Sequence, residues 1–400
     1  MHFVFWQNII SPHQASFLRA LAEMGHEVTV VAAEVMTANR LAMGWQAPDL
    51  GRCKIILAPS PEEIRRITEA GGQNSDLRNP IHILAGARWT SLGDQAMKWC
   101  RVFNRNTGVL TEAPDPRGFS GFARRLKYTA ERLANGRKFD FILAMGEMGV
   151  RWFQQCGYPP ARLFPFAYVT EQMSGLRPPT CPQVVAPSGP SSDLYPPSSV
   201  SFLFVGRLIP LKGVDLLLRS FTQISAPSSK LQASRLTLVG EGSEKDRLQA
   251  LAETLGILDR VEWLGVKRSS EIPTLMARAD VLVLPSRKDG WGAVVNEALM
   301  AGTPAICSTA CGAAELIRQP WLGTVFSSGN VEELAEALKK WSASGQRILE
   351  ERQRIREWSR CIEGESLAGY FGAIMAHIYE GGPRPAAPWR GEWDGVSVFR

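Results

Sequence analysis

Two basic residues follow closely on an apolar run in the second half of the chain. Residues 201–205 form the run, Gly206-Arg207 comes directly after it, and Lys212-Gly213 follows a few residues later. Glycine lets the backbone turn sharply at the end of a strand. Two cations at the carboxyl edge of a parallel sheet can hold a diphosphate group and stabilise its charge as it departs. Taken alone, the pair is equally well explained as solvated charges beside a turn.

Two acidic residues stand seven positions apart after a second apolar run, at residues 281–284. The string is Asp289-Gly-Trp-Gly-Ala-Val-Val-Asn-Glu297. We expect Asp289 in the loop and Glu297 in the first turn or so of a helix, so that both carboxylates face one cleft. Carboxylates accept hydrogen bonds from vicinal sugar hydroxyls, and glycine-flanked amides at a helix N-terminus suit an anion. The alternative, favourable acids at a helix N-terminus, explains one acid but not the whole string.

Composition places the chain among folded proteins of about two domains. It has 400 residues, of which 45% are hydrophobic and 21% charged, and chains of this length usually form more than one core. No apolar run approaches the roughly 18–20 residues that span a bilayer. The net charge of +6 suits an anionic partner, whether nucleic acid, a nucleotide diphosphate or an acidic membrane surface. No nucleic-acid motif is present, so we predict no nucleic-acid partner.

The cysteines and the first residues of the chain give an indication of the cellular compartment. Seven cysteines are scattered along the sequence, which favours reduced thiols and a cytoplasmic protein. Cys307 and Cys311 lie four apart without a second pair nearby, so no zinc or other metal site is predicted. Residues 1–7 are short and apolar without a basic flank, and we interpret them as a first strand.

Short apolar runs alternate with amphipathic stretches in both halves, which predicts an α/β fold with parallel sheets. The first such helix should begin with a capping box formed by Ser11 and Gln14 around Pro12. A segment rich in proline and serine separates the halves. The predicted organisation is an N-terminal Rossmann-like acceptor domain at 1–170, a linker at 171–200, a donor domain at 201–345, C-terminal helices at 346–380 that are candidates for crossing back to the N-terminal domain, and an irregular, loosely packed tail at 381–400.

The order of motifs resembles one known family. The motifs are Gly-Arg…Lys-Gly, Val-Gly-Glu-Gly (239–242), Leu-Gly-Val (264–266), Leu-Pro-Ser (284–286), the two acids seven residues apart, Ala-Gly-Thr-Pro (301–304) and Cys-Gly-Ala-Ala-Glu (311–315). Together they resemble the retaining GT-B glycosyltransferases of the family 4 type. The resemblance implies two Rossmann-like domains facing across a cleft, a nucleotide-diphosphate sugar as donor, and transfer with retention of anomeric configuration. It implies no metal or other cofactor, and a glycan, a lipid-linked sugar or a small molecule as acceptor.

The resemblance also assigns donor-side residues. Arg207 and Lys212 would hold the diphosphate, and Glu297 would bind the ribose hydroxyls. Asp289 would bind donor sugar hydroxyls at a position where the family usually has glutamate. The further donor-binding candidates are Gly206, Val266, Lys267, Gly290, Trp291, Gly292 and Glu315.

The acceptor side is less well defined by the sequence. Relatives carry a histidine near the donor sugar, and His13, just after the first strand, is the best-placed of the five histidines. Its tetrapeptide is equally well explained as a capped helix start. Acceptor-side candidates in loops that follow later strands are Arg88, Glu112, Asp115 and Glu147. For these charges, surface loops and turn formation are the alternative explanation.

A basic helix at 123–138 offers one further partner. Members of the resembled family often use lipid-linked acceptors, so this helix is a candidate for peripheral contact with a membrane's inner face. The alternative is a solvated charged face, with the helix's apolar side serving the core.

Three rival functions remain open from the sequence. One is a GT-B epimerase or an inverting transferase, and another is a non-catalytic nucleotide-sugar-binding protein. The third is a dinucleotide-dependent oxidoreductase, but the chain has no Gly-x-Gly-x-x-Gly motif after its first strand, which counts against it.

Overall fold

The computed structural model describes residues 1–70, 79–86, 91–135, 139–170, 200–224 and 234–391. The chain divides into two compact units. The first unit comprises Met1–Ala42, Gln46–Glu171 and Cys361–Arg400, and the second comprises Met43–Trp45 and Gln172–Arg360.

The first unit is built on a seven-stranded parallel sheet. Its strands are β1 (His2–Ile9), β2 (Glu27–Glu34), β3 (Lys54–Leu57), β4 (Ile81–Ala85), β5 (Thr107–Thr111), β6 (Phe141–Met145) and β7 (Leu163–Phe166). The order across the sheet is β3-β2-β1-β4-β5-β6-β7. The winding direction therefore reverses between β1 and β4, and a reversal of this kind opens a crevice at the carboxyl ends of the strands.

Helices connect these strands. They are α1 (Pro12–Glu23), α2 (Ala38–Ala42), α3 (Pro61–Glu69), α4 (Ser91–Val102), α5 (Gly118–Asn135) and α6 (Gly146–Gln155). Apart from the exposed edge strand β3, the strands are buried along most of their length, as expected when helices cover both faces of a parallel sheet.

The second unit repeats the architecture with six parallel strands. They are β8 (Ser201–Val205), β9 (Arg235–Val239), β10 (Val261–Gly265), β11 (Val281–Leu284), β12 (Ala305–Ser308) and β13 (Gly323–Phe326), in the order β10-β9-β8-β11-β12-β13. The helices are α7 (Val214–Thr222), α8 (Lys245–Thr254), α9 (Ile272–Arg278), α10 (Ala293–Met300), α11 (Val331–Ala343) and α12 (Leu349–Ser359). Here the switch lies between β8 and β11, whose loops carry the predicted donor residues.

A last helix, α13 (Gly364–Tyr379), belongs to the first unit and packs against α1. The contact is close at Gly364, where a Cβ would lie 2.5 Å from the carbonyl oxygen of Ser16. The ring of Phe371 meets Phe17 edge-on at 5.6 Å and Phe3 at 5.0 Å. The helix therefore forms part of the core beneath the start of the sheet.

The predicted capping box of α1 is wrong. Ser11 is the N-cap, but its side chain makes no capping hydrogen bond. The Gln14 side chain is buried and its Oε1 accepts from Nε2 of Gln7 at 2.8 Å. A buried amide needs a partner, and the amide on β1 satisfies Gln14 in place of the helix terminus.

The prediction of a loosely packed tail is also wrong for its described part, residues 381–391. Trp389 is only 2% exposed and its ring lies 6.3 Å from that of Tyr370 on α13. Arg384 donates to the carbonyl oxygen of Ala161 at 3.1 Å and also to that of Leu163. Apart from a short 3-10 helix at Pro388–Arg390 the segment is irregular, yet it is well packed. Residues 392–400 lie outside the described part.

The apolar side of α5 does not serve the core as the sequence led us to expect. Tyr128 is buried against α6, whereas Phe119 is 86% exposed. Arg137 and Lys138 of the predicted basic helix lie outside the described residues. Among the helices described, none is both long and apolar enough to cross a membrane.

We predict that Trp389→Ala destabilises the first unit by about 3 kcal/mol, the usual cost of emptying a buried tryptophan site. The unfolding transition of that unit, followed by calorimetry or denaturant titration, should shift to lower stability. Trp321→Ala, a partly exposed tryptophan of the second unit, is the control and should leave this transition unchanged. A Trp389→Ala shift below about 0.5 kcal/mol would contradict tight packing of the tail.

Candidate functional site

The loops that follow β8 and β11 are held against each other at the carboxyl edge of the second sheet. Gly213 adopts φ 67°, and a Cβ there would lie 2.2 Å from the carbonyl oxygen of Pro285. The backbone N–H of Arg287 donates to the carbonyl oxygen of Leu211 at 2.8 Å. Only glycine accommodates both the left-handed backbone and the close approach. These contacts fix the position of the residue before Gly213.

That residue is Lys212, and its ammonium group meets the acid of the second motif. Nζ of Lys212 lies 2.5 Å from Oδ2 of Asp289, and the two side chains are 20% and 14% exposed. The sequence predicted both as ligands in one site, and the structure brings them into direct contact. The ion pair keeps a charged lysine and a charged carboxylate together where water reaches neither fully.

Arg207 precedes Lys212 in the same loop, but it is not part of this ion pair. Its side chain is exposed just after β8. Within the described residues its guanidinium has no hydrogen bond or ion pair. Among the two predicted phosphate ligands, Arg207 is therefore the unengaged cation and Lys212 the engaged one.

A third loop, after β12, fixes the glycine-rich segment before α10. Gly292 adopts φ 89°, and a Cβ there would lie 2.4 Å from Sγ of Cys311. The N–H of Asp289 donates to the carbonyl oxygen of Ala310 at 2.9 Å, and the thiol of Cys311 donates to that of Trp291 at 2.7 Å. Three loops from three neighbouring strands thus determine where the Asp289 carboxylate points.

The side chain of Trp291 is part of the core. It is 1% exposed, and its Nε1–H donates to Oδ1 of Asn296 at 2.9 Å. The indole therefore anchors the loop to α10, and a ligand can use only the backbone at this position.

Glu297 is the fifth residue of α10, just past its first turn, where the sequence placed it. Its side chain is partly exposed, yet burial raises the pKa of its carboxyl to about 7 from 4.5. No cation within the described residues offsets this cost. A carboxylate left without a partner is suited to accept hydrogen bonds from a ligand's hydroxyl groups.

The remaining donor-side candidates lie along the same edge. The N–H of Gly206 donates to the carbonyl oxygen of Val239 at 2.9 Å. Val266 is 44% exposed and, with Lys267, follows β10 at the margin of the sheet. Glu315 lies in the short 3-10 helix Gly312–Leu316, where a Cβ on Gly312 would approach the Gly290 carbonyl oxygen to 2.6 Å.

In the first unit, three residues meet at the carboxyl edge of the sheet. The ring of His13, after β1, lies 5.7 Å from the ring of Tyr168, after β7. Burial, together with a hydrogen bond to the carboxylate of Glu112, raises the pKa of the Tyr168 phenol. Sequence reasoning found His13 and Glu112 but missed Tyr168. Its position just after a strand, like that of the other two, was the available signal.

Two other acceptor-side candidates are paired with cations. Oδ1 of Asp115 accepts from Nε of Arg117 at 3.0 Å. Glu147, near the start of α6, forms an ion pair with Arg390 of the tail. Each carboxylate would have to give up part of its contact with an arginine to bind an acceptor, so both are weakened as acceptor ligands. The remaining candidate, Arg88, lies outside the described residues.

Comparison with known proteins places the second unit in a family. The family model described as glycosyl transferases group 1 matches residues 195–360. This part of the chain belongs to that family. The match covers the loops after β8, β11 and β12, which hold Lys212, Asp289 and Glu297.

Curated relatives of this chain match over part of their length. The D-inositol 3-phosphate glycosyltransferase of Rhodococcus opacus is 30% identical over 208 residues, which are 49% of this chain and 46% of the relative. The GDP-mannose-dependent alpha-(1-6)-phosphatidylinositol monomannoside mannosyltransferase of Mycobacterium tuberculosis is 30% identical over 161 residues, 38% of this chain and 41% of the relative. The chain thus matches less than half the length of either relative.

The fold of this chain is that of solved GT-B structures. Anabaena HepE in complex with UDP superposes with a TM-score of 0.66 at 15% identity, over 94% of this chain and 100% of that one. At this identity the likeness establishes the fold alone: two parallel α/β sheets of the GT-B type.

We predict that Glu297→Gln stabilises the second unit at pH 8 by about 1–3 kcal/mol. The folded state raises the carboxyl pKa from 4.5 to about 7, so the cost of ionisation grows as the pH rises from 4.5 through 7. Below pH 4.5 the carboxyl is protonated in both states and the variant should match the parent. Unfolding measured well below pH 4.5 and at pH 8 gives the difference.

Glu253→Gln, an exposed glutamate on α8, is the control and should show no such pH dependence. If Glu297→Gln is destabilising at pH 8, the carboxylate has a stabilising partner in the folded protein and the account of Glu297 is wrong.

Proposed function

We propose that this protein is a retaining glycosyltransferase that moves a sugar from a nucleotide-diphosphate sugar to an acceptor hydroxyl. The observation that carries the proposal is the contact of Lys212 with Asp289 at the switch point of the second sheet, with Arg207 exposed in the same loop as Lys212. The two cations can bind a diphosphate, and the carboxylate of Asp289 can accept hydrogen bonds from a sugar.

In the proposed reaction, the bond from the anomeric carbon to the diphosphate breaks while the acceptor oxygen bonds to that carbon, and the proton of the acceptor hydroxyl passes to the departing diphosphate. Negative charge then builds on the departing diphosphate. Arg207 and Lys212 stabilise that charge, which is worth most where water is scarce. Two side-chain cations supply this charge, so we expect the reaction to need no metal ion.

The acids have separate parts in this proposal. Glu297 accepts hydrogen bonds from the ribose hydroxyls, which offsets the cost of burying its carboxylate. Asp289 exchanges part of its contact with Lys212 for hydroxyl groups of the donor sugar. Gly290, Gly292 and the backbone of Trp291 line the sugar and phosphate, and Val266 and Lys267 border the base.

The acceptor is proposed to bind the first unit, at the edge formed by His13, Tyr168 and Glu112. The two curated relatives are named for D-inositol 3-phosphate and for a phosphatidylinositol mannoside. A polyol, a glycan or a lipid-linked sugar is therefore the acceptor class to test. Peripheral membrane contact through α5 belongs to the same proposal.

A screen of UDP-, GDP- and ADP-sugars with the purified chain tests the function. One donor should raise the melting temperature by mass action and release its nucleoside diphosphate, with or without acceptor. Proton NMR of the product should show the donor's anomeric configuration. Arg207→Ala and Lys212→Ala should each lower kcat/KM about a hundredfold, while Arg278→Ala and Lys340→Ala, exposed cations elsewhere in the second unit, should not.

Two outcomes would contradict the proposal. A product of opposite anomeric configuration would make the protein an inverting transferase. Tight donor binding, without release of the nucleoside diphosphate and without sugar transfer to any acceptor tested, would make it a nucleotide-sugar-binding protein.

The ion pair makes a second prediction, for Asp289→Asn. The Asp289 carboxylate competes with a diphosphate for Lys212, so its neutralisation should tighten binding of a free nucleoside diphosphate several-fold. Transfer should nonetheless fall at least tenfold, because a carboxylate that accepts from the donor sugar is lost. Calorimetric titration and the transfer assay measure the two effects.

Asp246→Asn, an exposed acid on α8, controls for net charge and should change neither quantity. If Asp289→Asn instead weakens diphosphate binding as much as Lys212→Ala does, then Asp289 serves to position the lysine and does not compete for it.

A further inference from the structure

The second unit contains a cavity of about 340 Å³ that is separate from the candidate donor site. Its walls come from the loop before β13, the end of α11 and the first turns of α12. Trp341, near the end of α11, donates from Nε1–H to Oγ1 of Thr324, the second residue of β13, at 2.9 Å. The cavity therefore lies at the edge where the parallel strands begin, whereas the donor-side loops follow β8, β11 and β12 at the opposite edge.

Two arginines in the wall of this cavity are each stacked on a tryptophan. The guanidinium carbon of Arg347 lies 5.1 Å from the ring centre of Trp341, and that of Arg354 lies 4.3 Å from the ring centre of Trp321. All four side chains line the cavity. Stacking fixes the plane of a guanidinium group and leaves the N–H groups at its edge able to donate. A planar fork held in one orientation is suited to the oxygens of an anion.

Arg347 has a donor that the described part of the protein does not use. Its side chain is only 7% exposed. Nη2 donates to the carbonyl oxygens of Ser344 and Gly345 at 2.9 and 2.7 Å, and Nη1 donates to Oε1 of Glu351 at 3.3 Å. Nε, in contrast, is buried and has no hydrogen-bond partner among the described residues. A buried donor without a partner costs folding free energy, and an acceptor oxygen in the cavity would offset that cost.

The cavity is larger than a bare anion requires. Its volume lies at the lower end of the range for small-molecule sites, about 300–1,000 Å³. Beside the arginines, its wall carries the carboxylate of Glu351, 45% exposed, and the buried apolar side chain of Ile355. A carboxylate accepts hydrogen bonds from hydroxyl groups and repels a second anionic group. The matching ligand therefore has one anionic group on a carbon skeleton that also carries hydroxyl groups.

We propose that this cavity binds a small phosphate monoester that bears hydroxyl groups. A phosphate monoester carries a charge of about −1.5 to −2 at neutral pH, which matches two arginines better than the single charge of a carboxylate does. The phosphate oxygens accept from Nε of Arg347 and from the guanidinium group of Arg354, and a hydroxyl group of the ligand donates to Glu351. The proposal does not depend on sugar transfer, because none of these residues belongs to the donor site.

Calorimetric titration of the full chain with glucose 6-phosphate, fructose 6-phosphate and glycerol 3-phosphate tests the inference. At least one of these esters should bind at one site per chain. It should bind at least tenfold more tightly than inorganic phosphate, which lacks the hydroxyl-bearing skeleton. It should also bind at least tenfold more tightly than the same molecule without its phosphate, because the charge-assisted hydrogen bonds to the arginines are then lost.

Substitutions of Arg354 locate the binding. Arg354→Gln should weaken it at least tenfold because the charge is lost, and Arg354→Lys should weaken it less because the charge remains without the planar fork. The side chain is exposed, so both variants should keep the parent's melting temperature. Arg219→Gln, an exposed arginine on α7, is the matched control and should bind the ester like the parent. Lys212→Ala, in the donor site, should also leave this binding unchanged.

Three results would overturn the inference. One is that none of the three esters binds, and another is that Arg354→Gln binds the ester as tightly as the parent does. The third is loss of binding in Lys212→Ala, because the phosphate would then occupy the donor site. Equal affinity for inorganic phosphate and for the ester would overturn the ligand class, since the cavity would then recognise the anion alone.

Discussion

The close approach of Gly213 to the carbonyl oxygen of Pro285 is the constraint on which the candidate site depends. A side chain at this position would collide with backbone, so the loops after β8 and β11 can meet only through glycine. Their contact brings Lys212 to Asp289 across 77 positions of sequence. Gly292 and Cys311 then lock the segment from Asp289 to α10 by the same kind of close packing. Backbone contacts between the loops thus position the charged side chains, independently of the attraction between those charges.

The charged side chains of the site differ in pairing, exposure and pKa. Lys212 and Asp289 neutralise each other, Arg207 is exposed, and the Glu297 carboxyl has its pKa raised by burial. Buried charge without a partner costs folding free energy, and such costs are characteristic of sites that await a ligand. A nucleotide sugar offers an anion to the cations and hydroxyls to the acids, so its binding would relieve each of these states at once.

Much of the fold was predictable because parallel strands buried on both faces are continuous apolar runs. Strands β8 and β11 coincide with the two apolar runs at 201–205 and 281–284. The errors share a cause. Gln14 could not be assigned to Gln7, nor Trp389 to Tyr370, because both contacts depend on tertiary packing. The periodicity of α5 gave its apolar face but not the direction in which that face points. In the site, motif spacing predicted Lys212, Asp289 and Glu297. The ion pair between Lys212 and Asp289, and the place of Tyr168 beside His13, required the three-dimensional structure.

The most direct test of the donor site is a crystal structure of the chain with a nucleoside diphosphate. The account predicts diphosphate oxygens within hydrogen-bond distance of Arg207 and Lys212, ribose hydroxyls on Glu297, and a Lys212–Asp289 contact longer than the present 2.5 Å. A nucleotide bound away from the loops after β8 and β11, or bound there with Lys212 still held wholly by Asp289, would contradict it.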